Sequence, residues 1–187
     1  MANKNIEIKK SNVLIIYFEA NTFKKEFNRK VREYISQEYR NNVNDEQAIP
    51  YCITLASFAC ELFLKFLIGV NQIKNMKSAE KVEIPRKHNL KSLYIQLPSE
   101  FQDAILKKIP KDRLKKILER NSNSFMEWRY IYECSKEEII FNYDYIKQLM
   151  DVLYEFANKV KDDINFDTNK STKLKMKGTT RNMTHHI

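Results

Sequence analysis

Glycine occurs only twice and proline four times in 187 residues. Turns that need a positive φ or a fixed one are therefore scarce, which argues for long helices against a many-stranded sheet with tight hairpins. The same scarcity removes the glycine-built phosphate cradles: the sequence has no GxxxxGK and no GxGxxG, and no GxSxG elbow for a nucleophilic serine. Cysteine is sparse as well. Cys52, Cys60 and Cys134 cannot pair completely and show no CxxC or Cys/His spacing, which fits buried free thiols in a reducing cytosol. No HxxxH or paired carboxylate cluster stands beside His88, and His185 and His186 are adjacent in the basic tail, so neither a metal site nor a cofactor is expected. The start, MANKNIEIKK, has charge without an apolar region directly behind it; no secretory leader is expected, and the location read from this is cytoplasmic.

The chain contains charge and one very apolar stretch. The formal net charge is +9, of which the segment 165–187 carries +4 through Lys170, Lys173, Lys175, Lys177 and Arg181 against Asp167. That segment lacks apolar periodicity and is read as a basic, disordered tail; residues 1–164 are read as one helical domain. Within the domain, residues 107–120 gather Lys107, Lys108, Lys111, Arg113, Lys115, Lys116 and Arg120 against Asp112 and Glu119. Such an excess attracts phosphate backbones through counterion release. A solvated helix face in a lysine-rich chain has the same composition, so charge alone does not choose between the two.

The stretch 51–70, YCITLASFACELFLKFLIGV, is apolar except for a stripe of Thr54, Ser57, Glu61 and Lys65 at helical spacing. This pattern predicts a central buried helix whose polar stripe faces a partner helix or a site. Its length would also span a bilayer. Two charges in the second half, and amphipathic neighbours that need a helix to pack on, argue for a bundle core instead, and no membrane association is expected.

Around that helix the expected order is as follows. Apolar positions from Val13 through Tyr39 form one helical stripe, although VLIIYF alone could also be a strand. Residues 41–49 read as a loop, with Pro50 in the first turn of the central helix. Gly69 and NQIKNMKSAEK read as the end of that helix and a loop of about fifteen residues. RKHNLKSLYIQL predicts a short helix, and Ser99 with Gln102 a capping box opening the next. A basic helix is predicted over 112–120. Ser124 with Glu127 predicts a second cap, opening FMEWRYIYE, and Ser135 with Glu138 a third. The last amphipathic helix is predicted over 145–164.

The segments PYCITLASFACELFLKFLI, HNLKSLYIQLP and SFMEWRYIYE, taken in order, resemble the HEPN superfamily of prokaryotic helical domains over residues 13–164. The resemblance implies an all-α fold: an antiparallel bundle of about four long helices plus short ones. It also implies a homodimer formed through the face that holds the polar residues. Links to toxin–antitoxin and phage-defence systems follow, with a cognate antitoxin or other partner protein as candidate binder. Many relatives are metal-independent ribonucleases that use an Arg and a His four to six residues apart on one helix. This chain departs from that pattern, because YIYECS follows Arg129 and no histidine comes before His185.

A ribonuclease built from these residues needs an imidazole to take the ribose 2′-OH proton and a guanidinium to hold the phosphate. His88 and Arg129 are the catalytic candidates, with Lys65 as a second phosphate contact. The binding candidates are Glu61, Lys65, Asn89, Tyr130, Tyr132, Lys115 and Lys116. The structural alternative has His88 capping its helix and bonding Glu61 or a carbonyl, while Arg129 pairs with Glu61 as a buried ion pair. Tyr130, Tyr132 and Trp128 fit a core or interface role as well as a base-stacking one. Three functions follow: a domain binding RNA or a nucleotide-like phosphate ligand, a metal-independent endoribonuclease, and a non-catalytic dimerising interaction module.

Overall fold

The computed structural model describes residues 5–35, 45–76, 80–122 and 143–164. Of the candidates above, Cys134, Trp128, Arg129, Tyr130 and Tyr132 lie outside the described residues, as do the tail 165–187 and the caps at Ser124 and Ser135.

Strand β1 (Asn5–Lys9) leads through a 3-10 turn into helix α1 (Val13–Ile35), which is followed by α2 (Asp45–Asn75). Strand β2 (Lys81–Pro85) precedes four further helices: α3 (Leu90–Tyr94), α4 (Ser99–Leu106), α5 (Lys111–Arg120) and α6 (Tyr143–Asp162). The described residues are thus mostly helical, as the glycine and proline scarcity implies. One small sheet accompanies the helices, in which β1 and β2 pair antiparallel with Glu7 opposite Glu83.

Helix α2 is the core. From Cys52 to Val70 nearly every residue is buried, including Phe63, Phe66 and Leu67. It is the one described helix long and apolar enough to cross a membrane, and 89% of its apolar window is covered by the protein itself. Helix α1 covers one side. Val13 meets Gly69, the Tyr17 and Phe66 rings lie 5.3 Å apart, Phe23 and Phe58 lie 4.6 Å apart, and Lys30 reaches the Tyr51 ring. Ascending numbers on α1 match descending numbers on α2, so the two run antiparallel. VLIIYF is therefore helical, with Val13, Tyr17 and Ala20 on its buried face.

Helix α6 closes another side. Tyr17 Oη donates to Asn158 Oδ1 at 2.7 Å, and Lys24 pairs with Asp151 at 3.1 Å, which makes α6 antiparallel to α1. Cys60 Sγ lies 3.9 Å from the Ile146 carbonyl, and the Phe63 and Tyr154 rings are 5.9 Å apart, so α6 runs in the same direction as α2. Burial pushes the Cys60 thiol well above its usual range, and burial raises Cys52 as well. Both are buried and free, as the odd cysteine count suggests.

Four local expectations are corrected. Helix α2 begins at Asp45, ahead of Pro50. It also continues through Gly69 to Asn75, so the long loop expected there is not present. A Cβ on Gly69 would come within 3.0 Å of Val13 Cγ1 and 3.1 Å of Ile84 Cδ1. The glycine is where α1, α2 and β2 touch, and it does not stop the helix. Beyond it the Gln72 side-chain amide bonds both backbone groups of Glu83, with Nε2 donating at 2.7 Å and Oε1 accepting at 2.8 Å. That occupies the outer edge of β2, which would otherwise be open to pairing. Finally, the capping box at Ser99 does not form: Pro98 holds the cap position without a side-chain bond, and Gln102 Nε2 donates to the Leu97 carbonyl instead.

Candidate functional site

Ser57, Glu61 and Lys65 all lie on the buried surface of α2, so the polar stripe read from the sequence faces into the protein. Their i, i+4 spacing stacks neighbouring side chains on one side of the helix. Lys65 Nζ donates to Glu61 Oε1 at 2.7 Å. A carboxylate sealed at 1% exposure would be costly alone, and the ammonium offsets that cost.

His88 supplies the second contact. β2 ends at Pro85, and Asn89 caps α3 by accepting from the Ser92 N–H at 2.8 Å. The Leu90 N–H donates to the Ser122 carbonyl at 2.9 Å, which ties this corner to the end of α5. Held between strand and cap, His88 places Nδ1 at 3.0 Å from both Glu61 oxygens. The cap is therefore Asn89 and not His88, while the expected bond from His88 to Glu61 is present. Asn89, a binding candidate, directs its Oδ1 into the helix start.

An ionised carboxylate only accepts, so in this contact Nδ1 of His88 donates to Glu61. This is the arrangement by which a carboxylate orients a general base in hydrolytic triads. The imidazole is 45% exposed where Glu61 is 1% exposed, so a buried anion orients a base at the surface. The structure brings Glu61, Lys65 and His88 together.

The basic helix forms a separate surface. Leu114, Ile117 and Leu118 fasten α5 to the core, and Lys111, Arg113, Lys115, Lys116 and Arg120 are all exposed. Lys115 and Lys116 have no ion-pair partner among the described residues. Glu119 is paired with Lys91 at 3.3 Å, and Lys108 with Glu155 at 3.4 Å. At the edge facing α6, the guanidinium carbons of Arg113 and Arg120 lie 5.4 Å and 6.0 Å from the Tyr145 ring centre. Among the described residues, no group of three His, Cys, Asp or Glu could hold a metal ion.

No family model, curated protein or solved structure matches the chain. The chemistry of the two surfaces is thus the ground for a functional reading. The Tyr145 cluster is the feature that motif reading missed. Arg113 and Arg120 share a helix face in the sequence, but nothing in their spacing marks a tyrosine on a later helix as their common neighbour.

Proposed function

We propose that the chain is a HEPN-like helical domain that binds RNA or a nucleotide-like phosphate ligand. In this reading it is cytoplasmic and homodimeric, an antiparallel bundle of about four long helices in a prokaryotic defence or toxin–antitoxin setting. A cognate antitoxin or similar protein is its candidate partner. One observation carries the proposal: the apolar side of α5 is anchored by Leu114, Ile117 and Leu118, so five cations are displayed together on an ordered element. A rigid array of cations binds polyanions with less ordering cost than the same charges on a loose segment. Fluorescence anisotropy of a labelled RNA at low ionic strength should show binding that weakens steeply with added salt. Absence of salt-sensitive binding removes the proposal.

A second reading, a metal-independent endoribonuclease, is favoured by the orientation of His88 on Glu61. His88 would act as base for the ribose 2′-OH, and Arg129 would hold the phosphate. Purified protein incubated with total RNA in EDTA should then cleave it, and His88→Ala should not. Equal cleavage by both proteins would point to a contaminating nuclease and remove this reading.

A further inference from the structure

We infer that Arg113, Lys116 and Arg120 form a phosphate-reading stripe on the α6-facing edge of α5, organised by Tyr145, which recognises a single-stranded nucleic acid by its backbone and not by its bases. The inference rests on the RNA-binding reading above and assigns it residues and a mode.

The three residues stand at i, i+3 and i+7, one face of a helix, and cover a rise of about 10 Å. All three are exposed. Arg113 and Arg120 converge on one ring at 5.4 Å and 6.0 Å, with Tyr145 presented from the first turns of α6. Attraction to the ring's electron-rich face gathers both guanidiniums. Both positive charges are thereby held near one ring, where an anion reaching the pair lowers their mutual repulsion. A phosphodiester fits that role, because each guanidinium fork can grip its non-bridging oxygens in a bidentate manner. Lys116 adds a point charge between the two forks.

Two acids lie nearby. By helical periodicity Asp112 and Glu119 lie on the crest of α5 opposite Leu114, Ile117 and Leu118, with Lys116 next to them and Arg113 and Arg120 farther round the helix; Glu119 is held by Lys91. Asp144 is exposed beside Tyr145 in the first turn of α6. Tyr145 itself is engaged by the guanidiniums and is not offered as a stacking platform, so this edge contacts phosphate and leaves base identity unread.

The test is the salt dependence of binding of a fluorescein-labelled U12 RNA to the full chain and its single variants. Each phosphate contact on a single strand contributes about 0.7 to the slope of log K against log salt. Arg113→Ala, Lys116→Ala and Arg120→Ala should each flatten the slope by about that amount. Lys25→Ala, an equal loss of charge on the exposed surface of α1, should leave it unchanged. Arg113→Lys keeps the charge and should keep the slope, which separates lost charge from lost packing. A12 RNA should bind within about threefold of U12. RNA binding with an undiminished slope in the three alanine variants, or a strong preference between U12 and A12, overturns this inference and leaves RNA binding itself standing. No salt-sensitive binding by the unaltered chain removes the underlying reading as well.

Discussion

Glu61 accepts from two side chains that can carry positive charge, Lys65 four residues along its own helix and His88 from the corner before α3. Removing the carboxylate would leave the Lys65 ammonium almost buried without its anion. Glu61→Ala is accordingly expected to cost about 3 kcal/mol, and roughly 6–12 °C in Tm, by thermal unfolding. Replacing the pair together, Glu61→Leu with Lys65→Met, should recover most of that loss, because an apolar pair of similar size has no charge to desolvate. A Glu61→Ala protein as stable as the parent would show that the carboxylate is not the anchor of this network. The contact between His88 and Glu61 was legible in sequence as one of two alternatives, since a buried carboxylate must find donors. The partner role proposed for Arg129 concerns a residue outside the described set.

At the scale of elements, Gly69 fixes how closely three segments approach. Val13 is fully buried and β-branched, so its χ1 cannot easily turn aside to admit a larger neighbour. Gly69→Val should therefore destabilise by about 2 kcal/mol through overpacking, seen as a lower urea midpoint with an unchanged slope. An unchanged midpoint would mean that α1 and β2 can move apart freely. Helices α1 and α6 could be read from sequence because each keeps a long apolar period of three and four, and α2 because it is apolar apart from one polar stripe. The sheet could not. NIEIK and KVEIP are five residues each, their alternation covers two apolar positions apiece, and their paired residues Glu7 and Glu83 are 76 positions apart in the chain. Gly69 was misread for a related reason: helix propensity counts about 1 kcal/mol against glycine, while the close contact that requires it depends on segments distant in sequence.

For the whole molecule the question is where its excess positive charge acts. The net charge is +9, and the tail and the 107–120 region hold most of the surplus. Composition alone treats these two alike. In α5 the structure anchors three apolar residues in the core and so sets the cations at fixed spacing. The fold thereby turns a local charge excess into an ordered face beside Tyr145, which lies 25 residues beyond the end of α5 and carried no mark in the sequence. The decisive measurement is lysine acetylation footprinting of the full chain with and without a uridine-rich RNA, read by mass spectrometry. Protection of Lys111, Lys115 and Lys116 is expected; protection confined to Lys170, Lys173, Lys175 and Lys177 would contradict a binding role for α5.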